Sequence, residues 1–412
     1  MYENMNILTL IKISWRNVWR NKLRSFVVII SVVFGLLGGI IIIAMSYGLN
    51  EERMNNAVET YLSHIQIHNK SFSEEYNIKH TIDNLEGIEN AINNDSRVVS
   101  YSKRIILNGM LSNSNGSYGI QVKGVDPIEE VKVTNTYEKV IEGEYFKSEK
   151  ENTILVGKKL AERLNLKLKS KVVITFQDEN YELTSLLYRV EGIFRSGNSR
   201  YDEANVFVKN VSITKNLPNF SGYHEIPILL TDIELRNQVK NDLISKNSNN
   251  LIEGWDDISK DLAYANEMLA AVLYIFMMII LSGLSFGIVN TMLMAILERR
   301  KEIGMLMSIG MSRFKIFLMI SFETMFLSIV ALPIGLILSY SIVEYYSVVG
   351  IDLSIVEAGL ENFGVGTRLY FKVPNQEYFI VAIMVFVISI ISSIFPSVRA
   401  LKINPVEATK TI

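Results

Sequence analysis

Met268–Leu297 reads MLAAVLYIFMMIILSGLSFGIVNTMLMAIL, thirty residues without a charge. A bilayer core takes about 20 residues of helix, so this run can cross it with length to spare. Three more uncharged runs share the property: Phe26–Gly48 (23 residues), Thr324–Val343 (20) and Tyr378–Val398 (21). No comparable run lies between Asn50 and Lys260. The expected fold is an α-helical membrane protein with four transmembrane helices plus a large α+β extracytoplasmic domain inserted between spans 1 and 2. As a helix Met268–Leu297 is about 45 Å long against a hydrocarbon core of about 30 Å, so the second span should project beyond the bilayer.

The apolar excess sits in those four places. Of 412 residues 49% are apolar and 20% charged, there is no cysteine, and 41 basic against 43 acidic residues leave a net charge of -2. Between Asn50 and Lys260 there are 26 basic and 31 acidic residues, a balance that argues against nucleic acid as a partner. Without cysteine, neither a disulfide nor a thiolate metal site can hold that stretch, so burial must.

Basic residues beside the spans set the orientation. Met1–Ser25 holds Lys12, Arg16, Arg20, Lys22 and Arg24 against one acid; Glu298–Ile316 holds five bases against two acids; the tail from Arg399 holds three against one. Glu344–Glu377 has five acids and two bases. Both termini are therefore expected in the cytoplasm, with Asn50–Lys260 outside. The 25-residue leader and 23-residue run are long for a signal peptide, which favours a retained anchor. The expected domains are 1–25, an interfacial helix; 26–48, the first span; 49–262, the outer domain; and 263–412, with spans at about 268–297, 317–343 and 378–398.

In the leader, Ile11, Trp15 and Trp19 recur every four residues, with Lys12, Arg16 and Arg20 one position along. An aromatic stripe beside a basic one suits a helix lying in the lipid interface, bases on headgroups and indoles at the acyl boundary. The outer domain alternates strand-like and helix-like stretches. Strands are expected at Ser63–His68, Arg97–Asn108, Thr153–Val156, Lys171–Phe176, Leu186–Phe194 and Asn205–Lys209, and helices at 85–92, Gly157–Leu164 and Asp232–Ser245. Two subdomains of mixed sheet result.

No catalytic constellation stands out. His64 and His68 would point the same way along a strand but about 13 Å apart, too far for one metal. Gly157-Lys158 lacks the rest of a phosphate-cradling loop, so the chain does not bind ATP by that route. Gly35 with Gly39, and Gly283 with Gly287, offer close helix approach. Glu323 lies eight residues beyond Lys315, about 12 Å into a span, where a carboxylate either faces protein or water or snorkels to the inner surface. Between the second and third spans, Glu298, Arg299, Arg300, Lys301, Glu302 and Arg313 flank apolar Ile303, Leu306 and Ile309, with Gly304 and Gly310 interspersed. That pattern suits a short helix docking in a partner's groove.

The run Glu298-Arg-Arg-Lys-Glu-Ile-Gly-Met-Leu-Met-Ser-Ile-Gly-Met-Ser-Arg313, set between two spans, resembles the signature of the FtsX-like permease domain of ABC transporters. Pro396-Ser-Val-Arg-Ala-Leu-Lys-Ile-Asn-Pro-Val-Glu-Ala408 resembles that domain's ending. Val122–Pro127, Ile154–Ala161 and Tyr188–Phe194 are similar to the MacB-like periplasmic core, and Trp15–Arg24 also fits. Within the family the likeness is closest to lipoprotein-releasing permeases, with Ser308 and Met311 standing where small alanines are usual.

The resemblance implies a non-catalytic, multi-pass subunit of the cytoplasmic (inner) membrane, paired with a second permease copy or paralogue. A separate cytoplasmic ABC ATPase would hold ATP and Mg, leaving no cofactor in this chain, and would push on residues Glu298–Arg313. The cargo implied is a lipoprotein or other amphiphilic substrate. The other class of function it leaves open is mechanotransmission to an outer hydrolase or sensor, with no substrate moved.

Overall fold

The structure, a computed structural model, describes residues 7–217, 219–246, 249–356, 359, 365–366 and 368–403. The Asn404–Ala408 part of the terminal motif lies outside the described residues. The chain divides into two compact units: a membrane unit (residues up to Leu49, Glu267–Ile351 and from Leu369 on) and a sheet unit (Asn50–Asn266 with Asp352–Arg368).

In chain order, α1 (Ile7–Arg20) leads to α2 (Lys22–Ala57), β1 (Ile65–Asn69), α3 (Lys70–Glu75) and α4 (Leu85–Asn93). Next come β2 (Val98–Tyr101), β3 (Ile105–Asn113), β4 (Gly116–Val125), α5 (Pro127–Glu130), β5 (Val140–Gly143), β6 (Thr153–Gly157) and α6 (Lys158–Leu164). The middle continues with β7 (Lys171–Gln177), β8 (Leu183–Phe194), α7 (Ser199–Ala204), β9 (Asn205–Lys209), α8 (Asn210–Thr214) and β10 (Glu225–Leu230). Then follow α9 (Arg236–Lys246), β11 (Asn250–Gly254), α10 (Trp255–Ile258), α11 (Lys260–Glu298), α12 (Arg300–Ser308), α13 (Arg313–Val349) and α14 (Asn375–Leu401).

Four of these helices, α2, α11, α13 and α14, are long and apolar enough to cross a membrane. Each extends past the uncharged run read from sequence, because helix geometry tolerates the polar residues at its ends that hydropathy rejects. Helix α11 buries Leu262 near its start and then Leu273, Met277, Leu281, Leu284, Ile288, Met292, Ala295 and Ile296. From Leu273 to Ala295 the steps run four, four and three, an eleven-residue repeat of about 3.67 residues per turn, close enough to the 3.6 of a straight helix to keep one face against its neighbours. Helix α13 buries Ala331, Gly335 and Ser339, and α14 buries Ser389, Ser392, Ser393 and Ser397, small residues that let helices approach closely. Ser389 Oγ donates to the Val385 carbonyl at 2.7 Å and Ser393 Oγ to the Ile390 carbonyl at 2.6 Å, while Ser392 Oγ reaches Ser285 Oγ on α11 at 2.7 Å and Ser397 Oγ meets Ser321 Oγ on α13 at 3.3 Å.

The sheet unit holds two sheets. The four-stranded sheet has order β11-β1-β10-β2 and every pairing is antiparallel. The seven-stranded sheet has order β5-β8-β6-β9-β4-β3-β7, with a further pairing of β7 to β8. Strand β8 pairs with β7 along Leu183–Arg189 and with β5 and β6 toward Phe194, so this sheet closes on itself. Its core gathers Ile105, Val122, Ile154, Val172, Val190 and Val206. The smaller sheet buries Ile65, Ile67, Ile226 and Ile228 against Ile88 and Ile92 of α4 and Val239 and Leu243 of α9.

Two expectations from sequence change here. Ser63–His68 is displaced, since Ser63 adopts φ +57° after a π-helical turn and the strand starts at Ile65. Arg97–Asn108 is two strands in different sheets: β2 belongs to the small sheet and β3 to the large one. The break falls at Ser102–Arg104, where Arg104 turns into a buried ionic cluster that alternation cannot reveal.

Candidate functional site

The expected docking segment is built as a break, a short helix and a turn. Helix α11 ends at Glu298, Arg299 leaves helical geometry with φ -100° and ψ 17°, and α12 begins at Arg300. Gly310 has φ +95°, a left-handed conformation that costs glycine nothing and ends the helix. Ser312 then caps α13, its side chain accepting from the Lys315 amide.

The apolar stripe splits. Ile303 is 1% exposed and Gly304 is buried beside it, Leu306 is half-buried, and Ile309 is 55% exposed. Ile303 anchors α12 to its own chain, and the outward apolar surface consists of Met305, Ile309 and Phe314. Arg300, Lys301 and Arg313 are exposed, Glu298 is exposed and 4.0 Å from Arg24, and Glu302 is half-buried.

Arg299 points inward, unlike its neighbours. Its Nη1 donates to both oxygens of Glu323 at 2.9 Å each, and its Nε to Glu302 Oε2 at 3.1 Å. Asn17 Nδ2 on α1 donates to Glu323 Oε1 at 2.8 Å, and Arg20 Nη2 donates to Glu302 Oε2 at 2.5 Å. Arg299 is 9% exposed and Glu323 3%. Glu323 therefore faces protein: one carboxylate on α13 ties down the start of α12 and the middle of α1. Around it, Ser14 Oγ donates to the Met319 carbonyl at 3.0 Å, and the Trp15 ring meets Phe326 edge-on at 5.4 Å. A buried carboxylate tolerates this depth only with its lone pairs answered, and three N–H groups answer them.

Helix α1 presents two faces. Leu10, Ser14, Asn17 and Val18 are buried, whereas Trp15, Arg16, Trp19 and Arg20 are exposed. Asn17 escaped the sequence reading because the Trp and Arg stripes dominate the helix, and its signal is a polar residue four positions from Ile13 on the opposite face.

A second buried carboxylate was missed as well. Glu377, in the first turn of α14, accepts from the hydroxyls of Tyr47 on α2 at 3.1 Å and Tyr274 on α11 at 3.4 Å. It read as one more acid of an outer loop. The glycine pairs also differ. A Cβ at Gly39 would fall 2.6 Å from Met277 and one at Gly35 3.1 Å from Leu284, whereas at Gly283 and Gly287 it would meet nothing within 4 Å. Among the histidines, His64 Nδ1 accepts from the Leu230 amide at 2.9 Å and His68 Nε2 contacts Gln66 Oε1 at 3.0 Å. Among the described residues no cluster of three or more His, Asp or Glu could hold a metal.

Four apolar helices, a braced loop between the second and third, and a sheet-rich unit between the first and second in sequence define a multi-pass membrane subunit. Its C-terminal part, residues 274–405, matches the family described as FtsX-like permease C-terminal. The chain is 23% identical over 418 residues to the lipoprotein-releasing system transmembrane protein LolC of Buchnera aphidicola, covering 98% of each. It is 24% identical over 427 residues to the uncharacterized ABC transporter permease MJ1507 of Methanocaldococcus jannaschii, covering 100% of each. Among solved structures, the periplasmic region of MacB from Actinobacillus actinomycetemcomitans aligns with a TM-score of 0.35 and 13% identity, over 51% of this chain and 97% of that one.

Proposed function

We propose that this chain couples ATP hydrolysis by a separate cytoplasmic ATPase to movement of its sheet unit, with release of a lipoprotein or export of another amphiphile as the work done. The observation that carries this reading is the Arg299–Glu323–Asn17 node. A loop that only connected two spans would need basic residues for topology, but not an arginine buried against a carboxylate of the next span. Braced this way, α12 is a lever: a push on its outward surface reaches α13 through Glu323 and α1 through Asn17. Helix α11 runs unbroken for 39 residues, about 58 Å, from that loop back to Lys260. The basic flanks support a reading with the loop and both termini in the cytoplasm and the sheet unit outside. The cargo class comes from the name of the LolC relative, and a dimer with a second copy or paralogue from the permease class.

The outward surface supplies the test. Ile309→Asp with Phe314→Asp changes two exposed apolar residues and leaves the node intact. The doubly substituted chain should insert normally, and its co-purification with the ATPase should fall at least tenfold. Undiminished association and ATPase stimulation would contradict the docking role. Loss of both with an acylated protein still bound to the wild-type complex supports a transporter, whereas coupling without any bound amphiphile favours mechanotransmission.

A further inference from the structure

Within the sheet unit, a cavity of about 380 Å³ opens where the two sheets meet. Strand β1 of the smaller sheet contributes His68, β10 contributes Glu225, and β4 of the larger sheet contributes Lys123; Tyr201 of α7 and Phe72 of α3 complete the part that matters. Arg104 lies alongside and is fully committed. Its Nη2 and Nε hold Glu130 at 2.5 and 3.0 Å, and Nη1 holds Glu225. Ser102 and Thr134 add hydroxyl bonds to Glu130 at 2.6 and 3.0 Å. Arginine keeps both carboxylates charged in the interior, with Glu225 pulled down to about 2 despite its burial.

Lys123 is different. Its side chain is 5% exposed, yet among the described residues no hydrogen bond or ion pair reaches its ammonium, which lies 5.2 Å from the centre of the Tyr201 ring. Burial, with Arg104 adding to it, lowers its pKa to about 8, while Glu225 and Glu130 oppose that shift from a distance. An ammonium has three N–H donors and no acceptor of its own, and a buried donor left unmade costs free energy. Two more open valences face the same space. The Tyr201 hydroxyl is buried without a partner, and burial holds it in the neutral, donating form. His68 is 8% exposed and its Nδ1 also has none. Gln66 Nε2 donates to the Leu62 carbonyl at 2.7 Å, so its Oε1 accepts from His68 Nε2, and Nδ1 is the ring nitrogen left over.

We propose that this cavity binds the anionic group of a small organic acid, a carboxylate or phosphate ester, with Lys123 and Tyr201 donating to its oxygens and the apolar body lying against Phe72, Leu62 and Ile106. Two residues with open donors, Lys123 and Tyr201, line one cavity. Arg104 and Lys123 together balance the charges of Glu130 and Glu225, but among the described residues no oxygen is bonded to the Lys123 ammonium, so its N–H donors are open to the anion. The inference does not depend on the coupling role: it concerns the sheet unit alone and holds or fails whichever way the membrane unit works.

The test uses the full chain in lipid nanodiscs with hexanoate, its neutral amide hexanamide, and inorganic phosphate, read by saturation-transfer NMR and thermal shift. Hexanoate should bind at least tenfold more tightly than hexanamide; Lys123→Met should abolish that preference, and Lys123→Arg should retain it. Stronger binding of inorganic phosphate than of hexanoate would mean a free ion is the occupant, and would overturn the organic-acid assignment. Should Lys123→Met fail to fold, the wild type decides by pH. Below about 8 Lys123 carries its charge, so hexanoate affinity should be full at pH 7 and fall by pH 9.5. Between those limits Glu225, Glu130 and Asp257, all held low, stay ionised, Arg104 stays charged, and Tyr61 and Tyr201, raised by burial, stay neutral, leaving Lys123 as the group that changes. Equal binding of hexanoate and hexanamide, or affinity flat across that range, would overturn the proposal.

Discussion

Glu323 and Glu377 are both carboxylates almost wholly buried within the membrane unit, and they are satisfied by opposite means. Glu323 is met by the charge of Arg299 and the amide of Asn17; Glu377 is met by the neutral hydroxyls of Tyr47 and Tyr274. The contrast follows from what each must do. A charge pair is strong while both partners stay and severe when one leaves, so it suits a joint that must not slip. Hydroxyls held at 3.1 and 3.4 Å make weaker, individually replaceable bonds, and they join three helices, α2, α11 and α14, without fixing a charge between them. The first joint suits transmission of a push, and the second a contact that is remade as helices shift.

The largest effect separating the two belongs to Arg299. Arg299→Met keeps an unbranched apolar stem but removes the guanidinium and leaves Glu323 buried without its charge partner, at a cost of about 3–5 kcal/mol. Thermal unfolding of the chain in detergent should show a large drop, and the exchange Arg299→Glu with Glu323→Arg should recover part of it. A variant as stable as the parent would show the pair to be incidental. At the other node, Glu377→Leu orphans two hydroxyls, for about 1–3 kcal/mol, while Glu377→Gln keeps an acceptor and should cost under about 1 kcal/mol. If Glu377→Gln proves as damaging as Arg299→Met, the charge of Glu377 matters and the two nodes are alike.

The membrane unit was far more legible from sequence than the sites within it. Four spans declare themselves because hydrocarbon excludes charge along the whole of a helix, a property summed over some twenty residues. The pairing of Arg299 with Glu323 is one contact between residues 24 apart, and no local pattern distinguishes a buried arginine from the exposed Arg300 beside it. Periodicity likewise found Ile303, Leu306 and Ile309 on one stripe, yet α12 buries Ile303 and Gly304 and leaves Ile309, just past its end, exposed. In the sheet unit, α4, β6, β7 and β9 were visible as apolar runs. Strands β4, β10 and β11 were not, because Gly116, Gly119 and Gly124, Pro227 and the polar Asn250 and Glu253 interrupt them. The ionic cluster at Arg104 draws residues from β10, α5 and the β2–β3 junction, and only the fold brings them together.

The central claim is that the Arg299–Glu323 contact carries the push of the ATPase into the spans. It is tested most directly by ATPase stimulation in the reconstituted complex for the parent, Arg299→Ala, Glu323→Ala and the double variant, with association to the ATPase measured in parallel. The account predicts that each single change lowers stimulation at least tenfold while association persists, and that the double change is no worse than either alone, because one contact is lost in all three. Stimulation unchanged in the single variants, or two losses that simply multiply in the double one, would contradict it.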